Sequence, residues 1–291
     1  MIESVRDELE RWIRMVRVRR CPVPFVIVFR ERSGSTYLCS LLKQHSQISC
    51  RTEDFHDGFP DAIDSPEACG ESKNWRRRIQ IFDGSFVTQA TRTDVLRHLY
   101  DIFSFPTLAS GFKLKFRKQF ELFPEILSEL KRIRNMRLIV LSRRNVIKQA
   151  VSRQNLARIE SIAGDANLFG DDDSGSDTLP RFALNIDVAL KYAVHSKLEQ
   201  AAFEDSVNQL TRASGIPTME VDYNDLLKHH DKTIRQILSF LDVDSNEDLF
   251  SNLFQKATPD LLADAITNYD ELLKAVLQTE LLPMLEEDEY D

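Results

Sequence analysis

The sequence predicts an α/β fold: a P-loop-like, mostly parallel sheet with helices on both faces. Two apolar runs, within 25–30 and 136–141, are typical of parallel strands that are covered on both faces. Helical patterns alternate with strand patterns along the chain, and this alternation indicates a parallel α/β sheet. Because such sheets bind ligands beyond the carboxyl ends of their strands, the residues that follow the two runs are the first candidates for a site.

The individual elements follow from periodicity and turn residues. An amphipathic pattern over 4–18 predicts the first helix, which CPVP stops because proline cannot continue a helix. Pro124 lies near the start of the helix predicted over 123–134, where proline is well tolerated. The composition of 164–177 predicts a mobile acidic loop. The other predicted helices cover 35–46, 92–103, 145–161, 181–213 and 231–243, and the other predicted strands cover 47–50, 108–116 and 216–223.

Composition narrows the domain organisation and the function classes. No convincing linker divides the 291 residues, which predicts a single domain, residues 1–291. The net charge of −8 and the pI near 5.4 argue against a general binder of nucleic acid or anionic membranes. No apolar stretch approaches the ~20 residues that span a bilayer, and the charged N-terminus lacks the apolar core of a secretory signal. We expect a cytoplasmic protein with reduced thiols, whose four cysteines form no CxxC pair for zinc.

Residues 30–36, RERSGST, join the first apolar run to a predicted helix. A strand that turns through small residues into a helix presents several backbone N–H groups at one point, where the helix dipole adds about half a positive charge. This arrangement makes an anion site of the phosphate-cradle kind, and Gly34 lets the backbone approach the ligand closely. The alternative is a helix that is merely capped by Ser33 or Ser35. The side chains that can add hydrogen bonds or charge are Arg32, Ser33, Ser35 and Thr36.

The Walker A pattern, GxxxxGK[ST], is absent, because no lysine directly precedes Ser35. The second apolar run ends in Ser142, Arg143 and Arg144, and it does not end in a carboxylate that could bind magnesium. Two basic clusters without an obvious carboxylate for magnesium suit an anionic donor that is handled without metal.

A second phosphate-binding segment follows the second apolar run. Arg144 lies at the mouth of that strand, and Ser152 lies eight positions further on, along the predicted helix. An arginine fork can hold a phosphate by two N–H bonds while a hydroxyl adds a third contact. The alternative is that Arg143, Arg144 and Arg153 are ordinary surface charges.

Together the two segments resemble those of the sulfotransferases that use 3′-phosphoadenosine 5′-phosphosulfate (PAPS). RSGSTYLCSLL at 32–42 resembles their 5′-phosphosulfate loop, and RRNVIKQAVS at 143–152 resembles their 3′-phosphate segment. Segments 221–243 and 255–276 resemble later segments of the same family's sequences. The form of the motifs in this sequence most resembles the family's bacterial trehalose-sulfotransferase-like and carbohydrate branch. The resemblance implies the sulfotransferase fold and transfer of a sulfuryl group from PAPS to a hydroxyl or amine. The implied acceptor is a small soluble molecule, such as a sugar or specialised metabolite.

The resemblance also implies roles for single residues. Arg32 would contact the bridging oxygen or the sulfuryl group of PAPS. Arg144 and Ser152 would hold the 3′-phosphate, and Lys256 would close over the nucleotide. The chain has no match to the C-terminal Arg-Lys-Gly loop of the aryl enzymes, so the remaining 3′-phosphate contacts stay open. The residues implied to bind at the 5′ end are Ser33, Gly34, Ser35, Thr36 and Tyr37.

A general base must take the proton of the acceptor as the new S–O bond forms. The segment 49–59, SCRTEDFHDGF, follows the first predicted helix and should return to the strand ends. In the trehalose-type branch the base is a glutamate in a Glu-Tyr-Phe-like context, so Glu53 is the first choice by resemblance. His56 is the second choice, because imidazole titrates near neutrality, and Asp54 is the third. The alternative for each of them is a solvated loop side chain.

Three further points stay open. Lys113 either faces the site from the strand predicted over 108–116 or is an exposed strand charge. A P-loop-type small-molecule kinase or nucleotide-binding module is the main alternative function, and it predicts dependence on magnesium; an inactive binding module on the same fold is a further one. The expected partner is a small-molecule acceptor, with no nucleic acid, membrane or metal, and a homodimer is possible.

Overall fold

The structure, a computed structural model, describes residues 23–51, 99, 102–116, 129–163, 180–245, 259 and 261–285. The strands in these ranges are β1 (Val23–Phe29), β2 (Ile48–Arg51), β3 (Ala109–Lys115), β4 (Arg137–Ser142) and β5 (Thr218–Asp222). The helices are α1 (Ser35–Lys43), α2 (Val146–Ala163), α3 (Ile186–Ser214), α4 (Tyr223–Lys228), α5 (His230–Phe240), α6 (Leu262–Ala265) and α7 (Tyr269–Val276).

The strands form one sheet in the order β2-β3-β1-β4-β5. Each of its strand pairs is parallel, so all carboxyl ends meet at the same edge of the sheet. This confirms the predicted α/β fold. From β1 the chain first crosses to the edge strand β2, returns to β3 beside β1, and then passes to the other side of β1 with β4 and β5. The connections after β1 and after β4 therefore run in opposite directions, and the crevice between two such strands is where open α/β sheets bind their ligands.

The alternation of side chains along β1 builds one hydrophobic core on each face of the sheet. Phe25, Ile27 and Phe29 pack on one face against buried residues of α1 and α5. Val26 and Val28 pack on the other face against buried residues of α3. Because β1 is buried between these two cores, the loop that follows it is anchored by a firmly packed strand.

Two helix boundaries differ from the sequence-based prediction by about four residues or more. The helix predicted over 181–213 begins only at Ile186, because the side chain of Asn185 accepts a hydrogen bond from Val188 N at 3.1 Å and caps the helix there. The helix predicted over 123–134 does not reach its predicted end, since residues 131–134 form turns. Asn135 follows them with a φ of 60°, a left-handed conformation that cannot continue a helix.

Some predictions concern residues that the structure does not describe. These are the helix over 4–18, most of the helix over 92–103 and the acidic loop over 164–177. Among the helices that are described, none is both long enough and apolar enough to cross a membrane.

Candidate active site

The loop between β1 and α1 has an unusual backbone. Arg32 has a φ of 60° and Gly34 a φ of 84°, so two residues of the turn are left-handed. Gly34 has a second reason to be glycine, because a Cβ built on it would lie 2.2 Å from Cε2 of Tyr223. The ring of Tyr223 therefore lies directly on the backbone of the loop. Left-handed non-glycine residues are strained and occur often at functional sites, which marks Arg32 in particular.

The serines of this loop do not cap α1 with their side chains. Gly34 is the N-cap residue, and the helix has no side-chain cap bond. Ser33 is only 1% exposed, and its Oγ finds no hydrogen-bond partner among the described residues. A buried hydroxyl without a partner is unfavourable unless a ligand or water satisfies it. The capping alternative is therefore not what the structure shows, and an anion at the loop would satisfy Ser33.

Arg32 contacts the residue that the sequence analysis assigned to the other phosphate segment. Its Nη2 donates to Oγ of Ser152 at 2.8 Å, and its Nε lies 3.2 Å from the same oxygen. Ser152 is buried on α2, the helix that follows β4, and β4 is the direct neighbour of β1. The two segments lie 120 residues apart in sequence and meet at this bond.

The two arginines at the end of β4 behave differently. Arg143 Nη1 donates to the carbonyl oxygen of Arg32 at 3.2 Å, and its guanidinium stacks 4.7 Å from the centre of the Tyr223 ring. Arg144 is 78% exposed, and its Nε lies 3.4 Å from a carboxylate oxygen of Asp222. Arg143 is therefore not an ordinary surface charge but part of the loop structure. Arg144 is an exposed cation at the end of β4, paired with one carboxylate.

Lys113 is buried, being 4% exposed, so the alternative of an exposed strand charge is wrong. Its Nζ donates to Oγ1 of Thr36 at 3.1 Å and lies 5.5 Å from the centre of the Phe29 ring. The side chain runs from β3 to the first turn of α1, where Thr36 is exposed. An ammonium group thus lies against the N-terminus of this helix, where an anion would bind.

The carboxyl edge of the sheet is strongly basic, although the chain has a net charge of −8. Within this edge Glu31 is a local counter-charge, because its carboxylate lies 3.2 Å from Arg153 and 3.6 Å from Lys115. Backbone N–H groups, hydroxyls and fixed cations in one place are the groups that hold a phosphate or a similar anion. The cations on the strand ends and the segments that follow them are Arg30, Arg32, Arg51, Lys113, Lys115, Arg143, Arg144 and Arg153.

Tyr223 and Arg143 shape the loop, a role that was not expected from the sequence. Both residues directly follow a strand, β5 and β4 respectively, and that position was the signal that could have found them. The candidate bases Glu53, Asp54 and His56, and the candidate nucleotide residue Lys256, lie outside the described residues.

The family of the protein follows from its similarity to known proteins. No curated protein shows a significant sequence match to the chain. A sulfotransferase from Alicyclobacillus acidocaldarius is similar in structure at 17% identity and a TM-score of 0.45, over 91% of this chain and 94% of that one. The sulfotransferase domain of the Synechococcus PCC 7002 olefin synthase is 15% identical, with a TM-score of 0.46, over 94% of this chain and 97% of that one. A mouse sulfotransferase solved with PAP (3′-phosphoadenosine 5′-phosphate) is 12% identical, with a TM-score of 0.42, over 92% of this chain and 88% of that one. The model of the sulfotransferase family matches residues 24–247, which is most of the chain, and the protein therefore belongs to this family.

Proposed function

We propose that the protein transfers a sulfuryl group from PAPS to a hydroxyl or amine of a small soluble acceptor, such as a sugar or specialised metabolite. The observation that carries the proposal is the bond between Arg32 and Ser152. It brings together the segment proposed for the 5′-phosphosulfate and the segment proposed for the 3′-phosphate. A donor with phosphates at both ends of its ribose needs two such segments side by side, whereas a simple phosphate needs only the first.

The residues around the loop fit the 5′ end of this donor. The buried Oγ of Ser33, which has no hydrogen-bond partner among the described residues, can donate to a phosphate oxygen. PAPS supplies the activated sulfuryl group, and its transfer leaves negative charge on the 5′-phosphate. Arg32 and Lys113 bring two positive charges to this loop, and fixed charges that are already oriented stabilise developing charge effectively.

The 3′-phosphate is assigned to Arg144 and Ser152. Arg144 is exposed and has one carboxylate neighbour, Asp222, so its guanidinium can turn to a ligand at little cost. Ser152 already accepts a hydrogen bond from Arg32, and its own hydroxyl proton is available to an acceptor. The trehalose-sulfotransferase-like branch is part of the proposal, supported by the arginine at position 32.

The base is proposed to be Glu53. β2 ends at Arg51, at the same edge of the sheet as the loop, and Glu53 follows two residues later. Two residues span at most about 7 Å, so Glu53 cannot be further than this from the end of β2. The kinase-like alternative requires a lysine directly before Ser35, and that position holds Gly34.

The 3′-phosphate assignment predicts how an Arg144→Ala variant will discriminate between nucleotides. The wild-type protein should bind 3′-phosphoadenosine 5′-phosphate (PAP) about tenfold to 150-fold more tightly than AMP, because AMP lacks the charged contact at the 3′ position. Arg144→Ala should lose most of this preference and keep the affinity for AMP.

Calorimetric titration of both nucleotides into both proteins measures this preference. The matched control is Arg181→Ala, since Arg181 is also exposed and paired with one carboxylate, at 3.3 Å from Asp264. The control should leave the preference unchanged. A full preference for PAP in Arg144→Ala would overturn the assignment, and equal affinity for both nucleotides in the wild-type protein would count against a PAPS donor.

A further inference from the structure

A buried chain of hydrogen bonds leads away from the start of the phosphate loop. Arg30 directly follows β1 and is only 7% exposed. Its Nη2 donates to Oγ of Ser196 on α3 at 2.9 Å and lies 3.4 Å from a carboxylate oxygen of Glu199. Burial lowers the pKa of this guanidinium, and Glu199 opposes the shift. A charged group in the interior is costly unless it is hydrogen-bonded, so these contacts fix the position of Arg30.

The series of hydrogen bonds continues from α3 to the end of β4. Ser196 is fully buried, and its Oγ donates to Oε1 of Gln149 at 2.7 Å. Gln149 is 1% exposed on α2, and its Nε2 donates to the carbonyl oxygen of Arg143 at 2.6 Å. Neither residue contacts the atoms that would bind the donor. Both lie behind the site, between the two helices and the strand ends.

The chain of bonds returns to the loop from which it began. Arg143 donates from its guanidinium to the carbonyl oxygen of Arg32. The segment 30–32 is thus held at one end by the side chain of Arg30 and at the other end by the backbone of Arg32. The Ser196 hydroxyl and the Gln149 amide each accept one of these bonds and donate the next, which allows these bonds to polarise one another. Arg32 is the strained residue of the loop, with a φ of 60°, and such a conformation persists only when its surroundings enforce it.

We propose that Ser196 and Gln149 are positioning residues, which hold the loop after β1 and the segment after β4 in one fixed relation and so keep Arg32 in its left-handed conformation. The ligand in this proposal rests on the proposed function, because the two linked segments are those assigned to the two ends of PAPS. The closed set of four hydrogen bonds, the hydrogen-bond ring, does not itself depend on the proposed function. A merely structural role would stabilise the packing of α2 and α3 without any effect that is specific to Arg32.

The first test needs no ligand. Peptide-resolved hydrogen exchange is measured on the wild-type protein and on Ser196→Ala, with Ser110→Ala as the matched control. Ser110 is also a fully buried serine, whose Oγ donates to the carbonyl oxygen of Ile102, but it lies at the amino end of β3. Ser196→Ala should speed exchange about fivefold in both 30–36 and 142–146, as expected for one lost hydrogen bond, and the control in neither. Faster exchange confined to α3, or in neither segment, overturns the proposal.

The second test is a double-mutant cycle on the affinity for PAP. Ser196→Ala should raise the Kd about fivefold, and its effect should nearly disappear in an Arg32→Ala background, because it acts through Arg32. Ser110→Ala combined with Arg32→Ala should give the product of the single effects. If the combination of Ser196→Ala with Arg32→Ala also changes the Kd by the product of the two single effects, Ser196 has only a structural role. If Ser196→Ala does not fold, Gln149→Met can replace it, because methionine has a similar volume and lacks the two side-chain hydrogen bonds of Gln149. The expected changes in exchange and in Kd are the same.

The two tests separate the two proposals. If the exchange result holds while the wild-type protein fails to bind PAP, the ring stands and the donor assignment fails. If PAP binds and the cycle is multiplicative, the donor assignment stands and the ring does not position Arg32.

Discussion

A Gly34→Ala variant should bind PAP at least about 100-fold more weakly than the wild-type protein, with a lowered melting temperature. The new Cβ would lie 2.2 Å from the ring of Tyr223, which must move. The ring stacks under the guanidinium of Arg143, and that guanidinium holds the carbonyl of Arg32, so the displacement reaches the proposed donor contacts. Two or more charged contacts would be disturbed together, and each is worth about tenfold or more in affinity.

Backbone strain alone would also weaken Gly34→Ala, and Gly215→Ala separates the two effects. Gly215 caps α3 with a φ of 64°, and a Cβ there would meet no heavy atom within 4 Å. Its replacement should cost about 1–2 kcal/mol of stability from the left-handed conformation and leave PAP binding unchanged. Thermal unfolding and calorimetric titration measure both quantities. If Gly34→Ala binds PAP as well as Gly215→Ala does, the contact between Tyr223 and the loop is not needed by the ligand.

A Glu53→Gln variant should lose about 100-fold to 10,000-fold in kcat while its Kd for PAP stays that of the wild-type protein. Glutamine has nearly the size and shape of glutamate but cannot take a proton at neutral pH, so only proton transfer is removed. The kcat is measured from the release of PAP from PAPS in the presence of a hydroxyl or amine compound that the wild-type protein sulfates. The Kd is measured by a separate titration with PAP.

The matched variants for this experiment are Asp54→Asn and His56→Gln, which remove the other two candidate bases one at a time. Each should reduce kcat far less than Glu53→Gln does. Survival of turnover in Glu53→Gln, with a loss in one of the other two, would move the role of the base to that residue.

The sequence was sufficient for the parts of the fold that depend on local pattern. The continuous apolar runs of β1 and β4 indicated buried parallel strands, and these are the two strands that carry the site. The small residues around Gly34 indicated the tight strand-to-helix turn between β1 and α1. These features need only neighbouring residues and the general rules of α/β sheets.

The contacts that shape the site were beyond such reasoning, because they join residues far apart in sequence. A lysine in a strand pattern reads as an exposed charge, and only the packing of β3 beside β1 shows that Lys113 reaches Thr36. The bond from Arg32 to Ser152 depends on the register of β1 against β4. The buried Ser196 had no local signal at all, since a serine within a long helix is usually exposed.

The proposed donor can be tested most directly by calorimetric titration of the wild-type protein with PAP and with ATP, each with and without magnesium. Because the loop lacks a Walker lysine and has Arg32 and Lys113 in its place, the sulfotransferase proposal predicts micromolar binding of PAP that does not depend on magnesium, and weaker binding of ATP. Magnesium-dependent binding of ATP without any binding of PAP would contradict the proposal and favour the kinase-like function.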